Sequence, residues 1–243
     1  MAKVAPVSIF RRVFLSLLAL LLALVAIIRA QQYAFRHRAE QLLTDVRSLD
    51  IGKASFADTQ IVFKRWPEAR NEGACASVQC DFEIALTDLA SSRSNVFANR
   101  PWLLRIYGLM GGRPAQVNAD VSVKNDTVFG KSFAALVEIL PGEETQLFGG
   151  YGYTLIGEIK TLKESSPAYD ADPRHPHYRI GWPGGCETCV AIYVRFAPSA
   201  TPADFRRLTQ FDMTCLTRWV SPCRTKADIM PVAWAEAERS LTN

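Results

Sequence analysis

The chain has 243 residues, 49% of them hydrophobic and 21% charged, with 28 basic and 24 acidic side chains. The whole net charge of +4 comes from Lys3, Arg11, Arg12 and Arg29, which leaves residues 31–243 formally neutral with 24 charges of each sign. That balance removes any electrostatic case for nucleic-acid binding, and the aromatic and β-branched content excludes a disordered tail.

The first element is the uncharged run Val13–Ile28, VFLSLLALLLALVAII, framed by Arg11 and Arg12 before it and Arg29 after it. Ile9–Ala30 reaches the length a helix needs to cross a bilayer, about 20 residues, once the two arginines snorkel at one end. A cleaved signal peptide is the rival. Its small-x-small site would have to be Ile28-Arg29-Ala30, where Arg29 and the bulk of Ile28 are unfavourable. The reading is an uncleaved signal anchor that partners the membrane through residues 9–30. Basic residues are nearly balanced across the span, so the positive-inside rule alone does not orient it. All six cysteines lie beyond it (Cys75, Cys80, Cys186, Cys189, Cys215 and Cys223). An even number in spaced pairs suits an oxidising compartment. Residues 1–30 are therefore expected to form a cytoplasmic tip and transmembrane anchor, and residues 31–243 an extracytoplasmic domain of the cell membrane.

Gln31–Leu49 reads as a helix, with Phe35, Ala39, Leu42, Val46 and Leu49 on one apolar stripe. It can continue directly from the span and pack on its own domain. Ile51-Gly52 ends it. Ser55 with Asp58 three residues on reads as the start of a second helix, Phe56–Trp66, stopped by Pro67. A strand, Cys80–Leu86, follows. This helix–Gly–Ser–helix–strand segment, over about residues 45–86, resembles the small outer-membrane assembly lipoprotein domain of the SmpA/OmlA type, without its lipidation cysteine. The resemblance implies a small α+β fold there and carries no function across.

Pro101–Met110 is expected to be a short helix. Ala115–Val123 alternates cleanly, Lys124–Thr127 is a turn signal, and the next strand places Phe129, Phe133, Ala135, Val137 and Ile139 on one face. Matching Val123 with Phe129 and Ala119 with Phe133 requires an odd-length hairpin loop. Tyr153–Lys160, Tyr178–Trp182 and Val190–Phe196 are further strands. Helical signals return at Ala203–Phe211, after Thr225, and at Pro231–Leu241. The fold class is α+β: a helical pair over 31–66, an antiparallel sheet built from hairpins over 80–196, and a helical 201–243.

No motif carries a specific chemistry. Gly130-Lys131-Ser132 imitates the end of a phosphate loop, but Asn125 stands where its first glycine belongs, and the segment reads as a strand. Gly149–Tyr153 is explained by a loop or bulge. There is no GxSxG, HExxH or paired-carboxylate signature. Asn125-Asp126-Thr127 is a glycosylation acceptor only in a eukaryotic secretory pathway. Cys186-Glu187-Thr188-Cys189 admits a structural disulfide, a redox pair or part of a zinc site. The strand after it lacks the helix N-terminus that would lower a thiol pKa, and the compartment favours a disulfide. Six cysteines allow 15 pairings. Cys75 with Cys80 and Cys215 with Cys223 are plausible local staples, leaving Cys186 with Cys189. A metal alternative gathers His175, His177, Cys186 and Cys189, close to Asp170 and Asp172, or else all four of Cys186, Cys189, Cys215 and Cys223. The sequence thus points to a membrane-tethered, disulfide-stabilised domain that binds or scaffolds an unidentified protein or small molecule, without a cofactor. The alternative is an extracytoplasmic enzyme or metal-binding protein with its site around Asp170–Cys189.

Overall fold

The computed structural model describes residues 6–72, 79–90, 100–139, 153–162, 177–181, 189–196, 203, 206–207, 209–219 and 222–241. Its first helix, α1, runs unbroken over Pro6–Ser48, 43 residues or about 65 Å. The apolar half of α1 is exposed along its length, and α1 is the one helix among the described residues long and apolar enough to cross a membrane. Its second half changes character. Phe35, Ala39, Leu42, Val46 and Leu49 are all buried, so the apolar stripe expected from spacing is the face that packs on the domain.

Helix α2, Phe56–Phe63, starts at the expected capping box. The Ser55 hydroxyl accepts the Asp58 N–H at 3.2 Å, and the Asp58 carboxylate accepts the Ser55 N–H at 2.8 Å. The Ser55 N–H and the Ser55 hydroxyl, both donating to it, hold the Asp58 carboxyl below its usual range. The helix ends at Phe63 rather than Trp66. A tight turn then brings Trp66 back under α1, where its indole N–H donates to Asp45 at 3.0 Å.

Seven strands form one sheet: β1 (Ala69–Glu72), β2 (Gln79–Thr87), β3 (Ala115–Lys124), β4 (Thr127–Ile139), β5 (Tyr153–Leu162), β6 (His177–Gly181) and β7 (Cys189–Phe196), in the order β1-β2-β3-β4-β5-β7-β6. The first five are antiparallel neighbours. The sheet is not antiparallel throughout, because β7 pairs parallel to β5. After β5 the chain reverses and lays β6 one position beyond its neighbour. A second reversal drops β7 into the gap, and two reversals restore the direction of β5. Helix α3 (Pro101–Leu109) lies between β2 and β3 in the chain, and α4 (Lys226–Ile229) and α5 (Pro231–Leu241) follow the sheet.

One face of β2, β3 and β4 is buried by strict alternation: Phe82, Ile84 and Leu86, then Val117, Ala119 and Val121, then Phe133, Ala135 and Val137. Each such side chain contributes about 1.5–3 kcal/mol when fully buried, the small alanines less. Phe82 meets the rings of Phe63 and Phe56 at 5.0 and 5.7 Å, and Phe133 meets Phe211 at 5.0 Å.

The β3–β4 hairpin corrects the parity expectation. Ala119 does pair with Phe133, but Val123 pairs with Val128, not Phe129. The loop has two residues, Asn125 and Asp126, both at positive φ (49° and 59°), as a primed hairpin turn requires. A bulge at Phe129 absorbs the extra residue and restores the register. Val128 takes the buried place, and its backbone exchanges hydrogen bonds with Gly52 and Ala54 at 2.9 Å each.

Candidate functional site

One cluster of polar contacts among the described residues lies where α1 leaves its apolar half. Arg29, the first charge after the span, is gripped by two loops. Its guanidinium donates to the Gly111 carbonyl at 3.3 Å and to the Thr217 carbonyl. It also lies over the rings of Tyr33 at 5.4 Å and Trp219 at 5.2 Å. Two turns further along α1, Arg36 donates to the Thr217 hydroxyl at 3.1 Å and pairs with Glu40 at 2.8 Å. The Thr217 loop therefore runs along the helix as a strap. Cys215 and Cys223 close this strap in a buried disulfide spanning eight positions. Asp212 braces it by accepting from Thr214 and Arg218, which together hold its carboxyl below the usual range despite burial.

Behind Arg29 lies a buried hydrogen-bond chain. The Gln32 amide donates to the Tyr107 hydroxyl at 2.8 Å and to the Arg113 carbonyl at 3.2 Å. Tyr107 in turn donates to the Asp88 carboxylate at 2.7 Å, which also accepts the Ala90 N–H at 3.3 Å. Gln32, Asp88, Tyr107 and Arg113 are all buried. Burial pushes the Asp88 carboxyl up, against the pull of the Tyr107 bond. The Tyr107 phenol is raised by burial and by the Asp88 charge, and Glu138 is raised by burial and the same charge.

Two glycines make this arrangement possible. Gly111 sits at φ +84°, where L side chains are strained, and a Cβ there would come within 3.0 Å of Arg29. A Cβ on Gly112 would lie 2.4 Å from the Tyr107 ring.

At the far end of the packed half of α1 a second device appears. Lys131 pairs with Val121 in the sheet register and so stands on the core face. Its ammonium donates to the carbonyls of Val46, Arg47 and Leu49 at 3.3, 3.3 and 2.8 Å. A cation there bonds carbonyls at the helix end, of which Val46 also accepts the Leu49 N–H, and meets the negative end of the helix dipole. Burial pushes the Lys131 amine down to about 8, with Asp50 opposing and Arg47 reinforcing the shift. The Gly130-Lys131-Ser132 triplet is thus part of a strand that caps a helix.

The structure places the sequence-derived candidates unevenly. Cys80 is buried in β2 and disulfide-bonded. Cys75, His175 and Cys186 lie outside the described residues, as do Asp170, Asp172 and the Gly149–Gly150 stretch. His177 opens β6 opposite Arg195, and Cys189 opens β7 opposite Thr154. These two positions stand at opposite ends of the β6–β7 ladder, about 20 Å apart along the strands. Among the described residues there is no group of three or more His, Cys, Asp or Glu side chains arranged to hold a metal. The collar residues Arg29, Gln32, Asp88 and Tyr107 carry no motif. One signal was present for Gln32, which precedes Phe35 and Ala39 on the same helical stripe and is thereby a buried polar residue.

Comparison with known proteins finds no matching family model, no matching curated protein and no matching solved structure.

Proposed function

We infer that this chain is a single-pass membrane protein whose extracytoplasmic α+β domain binds or scaffolds a partner while held rigidly to its anchor. The observation that carries this reading is the continuity of α1. The same helix supplies the apolar span and the packed core stripe, and Arg29 is fastened to the domain at the junction. A flexible tether would need none of these contacts. An unbroken helix with a strap and a hydrogen-bond chain holds the domain at one height and one orientation, the property a scaffold needs. The disulfide-bonded state of Cys80, Cys215 and Cys223 supports an oxidising location. We propose that the partner meets the outer face of β3 and β4, where Asn118, Asp120 and Ser132 are at least partly exposed.

The test uses the full chain in cells. Protease added outside cells or spheroplasts is expected to digest residues 31–243, and all six thiols are expected to resist alkylation before reduction. In the same cells a photo-crosslinking residue at position 120 is expected to give an adduct of one discrete mass. Protection from protease with freely alkylating thiols inverts the topology, and the absence of any adduct sinks the binding role.

A further inference from the structure

We propose that the domain itself rests on the lipid surface from which α1 emerges, with helix α3 lying in the headgroup region. This rests on the membrane-tethered reading above. On α3, Trp102, Ile106 and Leu109 are 55%, 41% and 81% exposed and follow the four–three spacing of one helical stripe. The opposite side of α3 buries Tyr107 in the hydrogen-bond chain with Asp88 and Gln32. The helix is therefore fixed to the domain by its polar contact and turns its apolar side outward. Such a stripe on a water-facing surface would be costly. Its location supplies the occupant. The turn that ends α3 delivers the Gly111 carbonyl to Arg29, the residue that closes the apolar span Val13–Ile28. The end of α3 and the end of the span thus lie at one level along α1.

Two further side chains meet at that level. Trp219, 62% exposed, stacks on Arg29 from the other loop, and Tyr33 flanks the same guanidinium. Tryptophan and tyrosine are the residues that favour the membrane–water boundary, where an apolar ring and a polar edge are both satisfied. The α3 segment Pro101–Leu109 contains Arg105, which is exposed, and no acid, with Arg100 just before it. Cations without a nearby carboxylate in the segment suit lipid phosphates. The packed half of α1, with the strands against it, rises away from this plane. Trp66, beside Arg38 at 5.8 Å, sits about 14 Å further up, nine residues along the helix.

The test is tryptophan quenching by brominated lipid. The full chain is reconstituted into vesicles of phosphatidylcholine containing phosphatidylglycerol, with and without bromines on the acyl chains, and its association is checked by flotation. Trp102→Phe and Trp219→Phe are each expected to remove a distinct part of the quenched signal. Trp66→Phe is expected to remove only unquenched emission. Unchanged quenching in both variants, with circular dichroism showing the fold intact, overturns the proposal. So does disulfide crosslinking of Ile106→Cys between two chains, which assigns the stripe to a second copy. Failure of the chain to float with vesicles refutes the tethered reading itself, a result distinct from flotation without quenching.

Discussion

Lys131 gives the sharpest physical prediction. In the unfolded chain its amine titrates near 10.5, and in the folded domain near 8. That drop corresponds to about 3 kcal/mol by which folding disfavours the ammonium relative to the neutral amine. Between the two values the unfolded state holds more protons, so stability rises with pH across that window. About 2 kcal/mol of the cost is regained between about pH 7.5 and about pH 9.5. Lys131→Met removes the titration. It also removes the bonds to the Val46, Arg47 and Leu49 carbonyls at the end of α1, each worth about 1.5–3 kcal/mol when the donor is charged. Near neutral pH these two effects oppose each other, so a single measurement there decides nothing. The slope decides. Denaturation midpoints of the full chain in detergent, followed by near-ultraviolet circular dichroism, are expected to climb with pH more steeply in wild type than in Lys131→Met. Equal slopes refute the claim that burial depresses the Lys131 amine.

Other perturbations address the collar. Gly112→Ala drives a methyl into the Tyr107 ring and breaks the chain to Asp88, an expected loss of about 2–4 kcal/mol read as a lower thermal midpoint. Asp88→Asn keeps an acceptor for Tyr107 and removes a carboxylate whose raised pKa makes its charge a burden above that value. The variant is expected to be no less stable near neutral pH, and to lack the wild-type stability gain on acidification toward 3.8, seen in the pH dependence of the denaturation midpoint. Cys215→Ser with Cys223→Ser opens an eight-position loop and is expected to cost about 2.5 kcal/mol in the same unfolding assay. Arg29→Lys keeps the charge and loses the fork that spans two loops, so Trp219 emission is expected to shift toward that of an unstacked ring.

What the sequence revealed follows from periodicity. The α1 stripe, the Ser55 cap, the alternation of β2 and β3 and the Pro231 helix are all local patterns, and each appears where spacing places it. Parity failed at Phe129 because a bulge changes the count by one without changing the residues. The direction of β7 was hidden because strand order is a long-range property that β6 decides from outside the pair. The collar was invisible for a related reason. Arg29, Asp88, Tyr107 and Thr217 come from four distant segments, and each alone is an ordinary polar residue. Lys131 was recognised only as a broken phosphate motif, because its partners are backbone carbonyls, which leave no mark in a sequence.

The position of the polar groups has its own logic. Far along α1, the apolar stripe buries Leu42, Val46 and Leu49 and is joined by the Lys131 and Trp66 bonds. A leucine at position 32, just past the end of the apolar run, would be satisfied by any apolar surface at that boundary, so burial alone would not choose among them. Gln32 does choose, because hydrocarbon offers its amide no partner, whereas Tyr107 and the Arg113 carbonyl do. Arg29 extends the same discrimination through directional bonds to Gly111 and Thr217. The hydrogen-bond collar thus specifies, through directional bonds, which surface the emerging helix presses against.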